Sequence, residues 1–182
     1  GKVLKNIDNY PILGWTIKRL SFFNSPKIVV ITSTHPSDDP IVEYCKNKKV
    51  DFFRGSLNNV LLRFKKACEY FSEENFIRIC ADSPFIDPSL IDYGIKLYKT
   101  KKYEIVMNTY PRSFPKGQSF SIYNAKVFVN NLKNVKKKNH KEHITPYFYA
   151  NSKKFNIKNV FYTSNQSDLN MSIDTNADLV KA

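Results

Sequence analysis

Residues 75–87 read N-F-I-R-I-C-A-D-S-P-F-I-D. Phe76, Ile77 and Ile79 form a short apolar, β-branched run, the pattern of a buried strand. Ala81, Asp82, Ser83 and Pro84 end it, since a small residue, a carboxylate and a proline together stop a strand. Asp82 therefore falls at the carboxyl end of a strand, the edge where open α/β sheets put their ligands. A carboxylate there can hold a divalent cation against a phosphate. It can equally be a solvated turn aspartate that caps the next helix, and these residues alone leave both readings open.

Upstream, Ile12, Leu13, Ile17, Leu20 and Phe23 recur at helical spacing over 11–23, with Pro11 placed for a first turn. Residues 27–34, K-I-V-V-I-T-S-T, make a continuous buried-strand run. Asp39 and Pro40 read as N-cap and first position of a helix through Cys45. Residues 50–53 form a strand closed by Arg54 and Gly55, and Val60, Leu61, Phe64, Ala67, Cys68 and Phe71 mark a helix over 59–71. Downstream, Asp87 and Pro88 start a helix to Tyr98, and 104–108 is a strand again. Strands alternating with helices predict an α/β fold with a largely parallel sheet covered on both faces.

From Thr109 the pattern changes. Residues 110–117, Y-P-R-S-F-P-K-G, form a loop; a strand (120–123) and a helix (125–132) follow. The lysine-rich run 133–141 reads as a solvated connection. A helix over 142–150, a strand near 155–162 and a short strand at 171–173 lead to Asp174 and Thr175, one of which caps a last helix. Asp82 and Asp174 thus stand at equivalent places, each past a strand and before a helix. Paired carboxylates with substrate phosphates are a usual way to hold Mg²⁺; two unrelated helix caps would give the same spacing.

At 182 residues and 42% apolar, the chain suits one α/β domain. No run approaches the ~18 apolar residues of a membrane span and no signal peptide opens the chain; no membrane partner is expected, and the unpaired Cys45, Cys68 and Cys80 fit a cytoplasmic protein. Gly1 and Lys2 open it without an initiating Met, the expected mark of a trimmed piece or of a longer protein lacking its start. The net charge of +13 is carried by 24 Lys against 5 Arg. Base-edge and bidentate phosphate contacts favour Arg, so this is a lysine-rich solvated surface and not a nucleic-acid interface. It would steer a polyanionic small substrate. Cys45, Cys68 and Cys80, odd in number and far apart, read as reduced thiols, not a disulfide framework or zinc site. His140 and His143 form an H-x-x-H without a third ligand close in sequence.

Seven short pieces, in order, resemble the cytidylyltransferases of the acylneuraminate type, most closely their spore-coat polysaccharide branch. Gly1–Lys2 looks like the tail of the glycine-rich nucleotide loop S-x-R-L-P-G-K. Thr32, Ser33 and Thr34 with Asp38, Asp39 and Pro40 match T-S-x-x-x-x-D-D-P, and Phe53 to Ser56 with Val60, Leu61 and Arg63 match F-R-G-S…V-L-x-R. Arg78 and Asp82 to Pro84 with Ile86, Asp87 and Pro88 resemble R-x-x-x-D-x-P-x-I-D-P. Asn108 and Thr109 with Pro111, Arg112, Phe114 and Pro115 resemble N-T-x-P-R-x-F-P. Glu142, His143, Thr145, Pro146 and Tyr147 are similar to E-H-x-T-P-Y, and Ile173 to Thr175 with Asp178 and Leu179 to V-D-T-x-x-D-L.

The resemblance implies a three-layer α/β sandwich of the nucleotide-diphospho-sugar transferase, glycosyltransferase-A-like fold, with a mostly parallel, mixed sheet. It implies a homodimer that converts CTP and an acidic, nonulosonate-like sugar to a CMP-sugar and pyrophosphate. Lys2 would meet the phosphates, and Asp82 and Asp174 would carry Mg²⁺. Thr32, Ser33, Arg54, Arg78, Asn108, Arg112 and His143 would contact nucleotide or sugar. Arg54 and Arg78 could instead pair with buried acids, and His143 could be a packed helix-start residue. Residues 1–182 would be one nucleotidyltransferase domain lacking a first strand with its nucleotide loop and a last helix. The lost strand would be central, leaving two unpaired sheet edges; residues 109–150 would be an arm, lid or dimerisation region. Three departures stand out: Gly117 to Ser121 reads G-Q-S-F-S where the family has G-L-D-V-E, Asn170 stands where it has Arg, and most of the nucleotide loop is absent. A transferase using another nucleotide, or a non-catalytic relative with a binding role, are the competing readings.

Overall fold

The computed structural model describes residues 1–22 and 27–182. A 3-10 turn, Lys2–Leu4, leads into the antiparallel pair β1 (Asn6–Ile7) and β2 (Tyr10–Pro11), then helix α1 (Ile12–Leu20). The hairpin turn places Asp8 at φ 52, a left-handed conformation that Asp tolerates. Next come β3 (Val29–Ser33), α2 (Asp39–Lys48), β4 (Asp51–Gly55), α3 (Val60–Phe71) and β5 (Asn75–Ile79). They are followed by α4 (Pro88–Lys99), β6 (Ile105–Met107), β7 (Phe120–Asn124) and α5 (Ala125–Asn131). The chain closes with α6 (Lys138–Glu142), α7 (Ile144–Ala150), β8 (Ile157–Asn159) and α8 (Asn176–Lys181).

Strand alternation yields the expected α/β architecture. β3 and β4 pair in parallel, with Thr32 opposite Arg54 and Ser33 opposite Gly55, and the order β5-β7-β6-β8 forms a four-stranded sheet in which β6 and β8 are parallel. Among the described residues β3 pairs with β4 alone and β5 with β7 alone.

The chain divides into two compact units. The first comprises Gly1–Lys27, Ile77–Ile122 and Ile157–Ala182. Its core gathers Ile86, Ile91, Val106, Phe114, Phe120, Ile122 and Val160. Gly94 lets α4 lie directly on this core, since a Cβ there would stand 2.4 Å from the Phe120 ring. A smaller cluster of Ile7, Ile12 and Ile173, with Trp15, Phe85 and Leu179 against it, joins the amino-terminal turn to the carboxyl-terminal segment. The second unit comprises Ile28–Phe76 and Tyr123–Asn156. Its core is aromatic: Phe76 stacks on Tyr123 at 5.2 Å and Phe128 on Phe148 at 5.8 Å, offset arrangements that add to burial. Residues 109–150 are shared between the units, which divide at Ile122.

Most helix signals work as read. Asn59 caps α3, Asp87 caps α4 with Pro88 at the first turn, and Thr175 with Asp178 forms a capping box at α8. Elsewhere the structure corrects the expectation. Asp38, not Asp39, is the N-cap of α2, and the helix passes Cys45 to end where Lys49 turns left-handed at φ 54. Arg54 and Gly55 are the last rungs of β4, because Thr32 and Ser33 continue the ladder beside them. The lysine run is not all loop: α6 forms there, supported by a Lys138–Glu142 contact one turn apart and by packing on α3 and α7. Residues 171–173 form no strand and bend at Ser172, since their amides go to three partners: Met171 N–H bonds the Lys116 carbonyl, Ser172 N–H bonds Asn170 Oδ1 and Ile173 N–H bonds the Asp82 carbonyl. The expected helix position at Phe23 lies outside the described residues.

Candidate active site

Three distant residues of the first unit meet. The Lys2 ammonium donates to Asp82 Oδ2 at 3.0 Å and to Asp174 Oδ1 at 2.9 Å. The two carboxylate oxygens can be no farther apart than those contacts laid end to end. Asp82 sits in the turn after β5, braced by the Ser83 and Ile86 amides on the Cys80 and Ser83 carbonyls, while its own carbonyl takes the Ile173 amide at 3.0 Å. Met171 is held at the other end by Lys116, and Gly117, at φ 88, passes so close that a Cβ would lie 2.5 Å from the Met171 backbone. Only glycine fits both that dihedral and that approach. The segment pinned between Lys116 and Asp82 therefore delivers Asp174 opposite Asp82.

Asp174 is further oriented. The Ser172 hydroxyl is shared between Asp174 Oδ2 (2.8 Å) and Asn170 Oδ1 (2.7 Å), and Asp178 Oδ2 accepts the Asp174 and Thr175 amides. The Lys2 and Ser172 hydrogen bonds hold the Asp174 carboxyl below its ordinary range. Burial pulls the Lys2 ammonium down, but its bonds to Asp174 and Asp82 outweigh that and raise it. Two carboxylates face one ammonium, so the cluster keeps a net negative charge. Asp82 is 26% and Asp174 54% exposed, within reach of solvent and ligand. Hard oxygen donors in a half-open site suit a cation that retains several waters, and the ammonium itself stands in for one. Among the described residues no three His, Cys, Asp or Glu side chains gather into a fuller cage.

The second unit holds a separate polar cluster. Asp38 Oδ2 accepts the Thr32 hydroxyl (2.8 Å), the Ser33 amide (2.9 Å) and the Ser33 hydroxyl (2.6 Å). Burial pushes the Asp38 carboxyl up, yet the Ser33 and Thr32 donors more than offset it and keep it below the usual range. Arg54 bonds the Ser33 and His35 carbonyls and pairs with Asp39 at 2.6 Å. His143, exposed, is the extended residue between α6 and α7. Cys45 and Cys68 are free and buried, with thiols pushed up to about 11 by burial.

In the first unit Asn108 is fully buried, its amide bonding the Gln118 carbonyl and the Phe120 amide. Arg112 donates to Ser119 Oγ at 2.9 Å. The guanidinium of Arg78, half-buried on β5, makes no hydrogen bond or ion pair among the described residues. Gln118 spans the Asp87 amide and Phe85 carbonyl, so the G-Q-S-F-S departure is a packed structural loop. Sequence reasoning missed Ser172 as a support for Asp174, although the S-x-D spacing offered the signal.

Asp82, past β5, and Asp174, before α8, converge on one lysine, an arrangement whose oxygen donors and ammonium suit a phosphate held with its cation. The chain belongs to the cytidylyltransferase family, whose profile matches residues 1–180. It is 32% identical over 164 residues to an uncharacterised protein of Methanocaldococcus jannaschii, covering 88% of this chain and 64% of that protein. It is 28% identical to the spore coat polysaccharide biosynthesis protein SpsF of Bacillus subtilis over 81% of this chain and 62% of that protein. The chain thus spans under two thirds of the length of these relatives. Among solved structures it matches a cytidylyltransferase from Leptospira borgpetersenii (TM-score 0.92, 28% identity, 98% of this chain and 76% of that one). It also matches a CMP:2-keto-3-deoxy-manno-octonic acid synthetase complexed with CTP (TM-score 0.74, 12% identity, 100% and 89%), a likeness of fold. The fold is the nucleotidyltransferase α/β fold.

Proposed function

We propose that the chain transfers the cytidylyl group of CTP to an acidic, nonulosonate-like sugar, releasing pyrophosphate, for surface polysaccharide synthesis. The observation that carries this reading is the Lys2 ammonium lodged between Asp82 and Asp174. Asp82 and Asp174 would hold Mg²⁺, which when bound polarises the α-phosphate. Transfer of this kind depends on positioning and charge neutralisation more than on covalent help from the protein. Lys2 supplies a point charge for the leaving phosphates. Arg78, whose side chain has no hydrogen-bond or ion-pair partner among the described residues, would take a phosphate or the sugar carboxylate. The family resemblance alone offers Asn108 and Arg112 in the first unit, and Thr32, Ser33, Arg54 and His143 in the second, as substrate contacts; Thr32, Ser33 and Asn108 already spend their side chains on internal hydrogen bonds. A cytoplasmic homodimer belongs to the same reading.

The test is nucleotide preference. CTP with Mg²⁺ should raise the melting temperature more than ATP, GTP or UTP, since a ligand bound only to the native state stabilises it by about 2.7 kcal/mol at a hundredfold excess over Kd. Equal shifts from all four nucleotides would reduce the site to a general phosphate effect on a basic protein.

A further inference from the structure

We propose that Lys2 and a divalent cation exchange places on the Asp82–Asp174 pair, so that cation binding releases the ammonium to the nucleotide phosphates. The proposal rests on the reading of this cluster given above. The ammonium, 3.0 and 2.9 Å from the two oxygens, occupies the position from which a cation shared by them must approach. Metal–oxygen bonds of ~2.1 Å leave no room for it there, and like charges at that separation repel.

The two sides of the contact differ in freedom. Lys2 lies in a 3-10 turn with no buried residue, and its side chain is 39% exposed on a flexible four-carbon stem. The carboxylates stand on pinned backbone, Asp82 through the Ile173 amide on its own carbonyl and Asp174 through the Asp178-bound amide, and the Asp174 carboxylate is further held by the Ser172 hydroxyl. The lysine is therefore the partner that moves. Without a nucleotide, an incoming cation must break two ammonium–carboxylate contacts and leave Lys2 unpaired. With a triphosphate present, Lys2 gains phosphate oxygens as it leaves. Cation and nucleotide thus bind with positive coupling, which linkage makes reciprocal.

The test is Mn²⁺ binding to the full chain, followed by electron paramagnetic resonance with and without CTP. Lys2→Met removes the resident cation, so it should bind Mn²⁺ alone about tenfold tighter than wild type, and CTP should then improve Mn²⁺ binding less than in wild type. Lys2→Arg keeps the charge and should bind no tighter than wild type. Lys5→Met removes a neighbouring charge, bonded to Asn176 at 2.6 Å, and should change affinity by less than about twofold, as screened charges do. Affinity of Lys2→Met at or below wild type, or a gain in Lys5→Met as large as in Lys2→Met, overturns the exchange. If Asp174→Asn abolishes Mn²⁺ binding while Lys2→Met leaves it unchanged, the exchange fails and the cation site stands. If no chain binds Mn²⁺, both fail.

Discussion

Asp38 and Asp174 each precede a helix, yet their carboxylates are built in opposite ways. Asp38, in the second unit, collects three donors on one oxygen from residues five and six positions away. Every hydrogen-bond partner is local and uncharged, and the Arg63 guanidinium adds only an electrostatic pull. Asp174, in the first unit, faces Lys2 across 172 positions, with Asp82 on the other side of the same ammonium. The first arrangement is complete in itself and secures a turn. The second is held by one mobile cation and remains short of positive charge, the condition of a ligand site. Polar clusters satisfied by near neighbours report on folding; clusters stitched from distant charges report on binding.

This contrast is open to test by mutation. Asp38→Ala should give the largest loss of stability, about 2 kcal/mol, because it strands the buried Ser33 and Thr32 donors. Thermal unfolding should show a fall of roughly 4–8 °C for a chain of this size. An unchanged melting temperature would make the two clusters alike. Ser172→Ala should lower turnover about tenfold, as loss of a ligand-orienting group does, while leaving the melting temperature near wild type. Ser172→Thr, which keeps the hydroxyl, should restore turnover; failure to rescue would assign Ser172 to packing.

The smallest effect is the pH dependence of the Lys2 bridge. Asp174 is held below its ordinary 3.8, so its share of stability is present above that value and lost as pH falls through the folded one. Lys2 is raised above 10.5, so its share is present below that value and lost as pH rises through the folded one. Comparing wild type with Lys2→Met, the melting difference should be flat between these limits and shrink outside them. It should stay under about 1 kcal/mol throughout, since the pair is partly exposed.

The strands and helices were legible because their signals are local: β-branched runs for β3 and β5, apolar spacing for α3, and Asp87 with Pro88 and Asp174 with Thr175 for helix starts. Asp82 was legible as a strand-end carboxylate and Asp174 as one just before a helix, though residues 171–173 ahead of it form no strand, and the seven family pieces suggested their partnership with Lys2. What the sequence hid depends on long-range hydrogen bonding. Residues 171–173 have strand composition but lend their amides to Lys116 and Asp82. The lysines of α6 look solvated until the helix is seen packing on α3 and α7. Ser172 has meaning only once Asp174 is fixed opposite Asp82.

If the Lys2–Asp82–Asp174 cluster performs the chemistry, removing one of its charges must stop pyrophosphate release from CTP in the presence of an acidic sugar. Asp82→Asn keeps the size and the backbone bond to Ile173 while removing the charge. Pyrophosphate release should fall at least about a hundredfold, beyond the loss typical of groups that only support a metal ligand, with an unchanged melting profile. Asp82→Asn turning over at the wild-type rate would contradict the cluster's role.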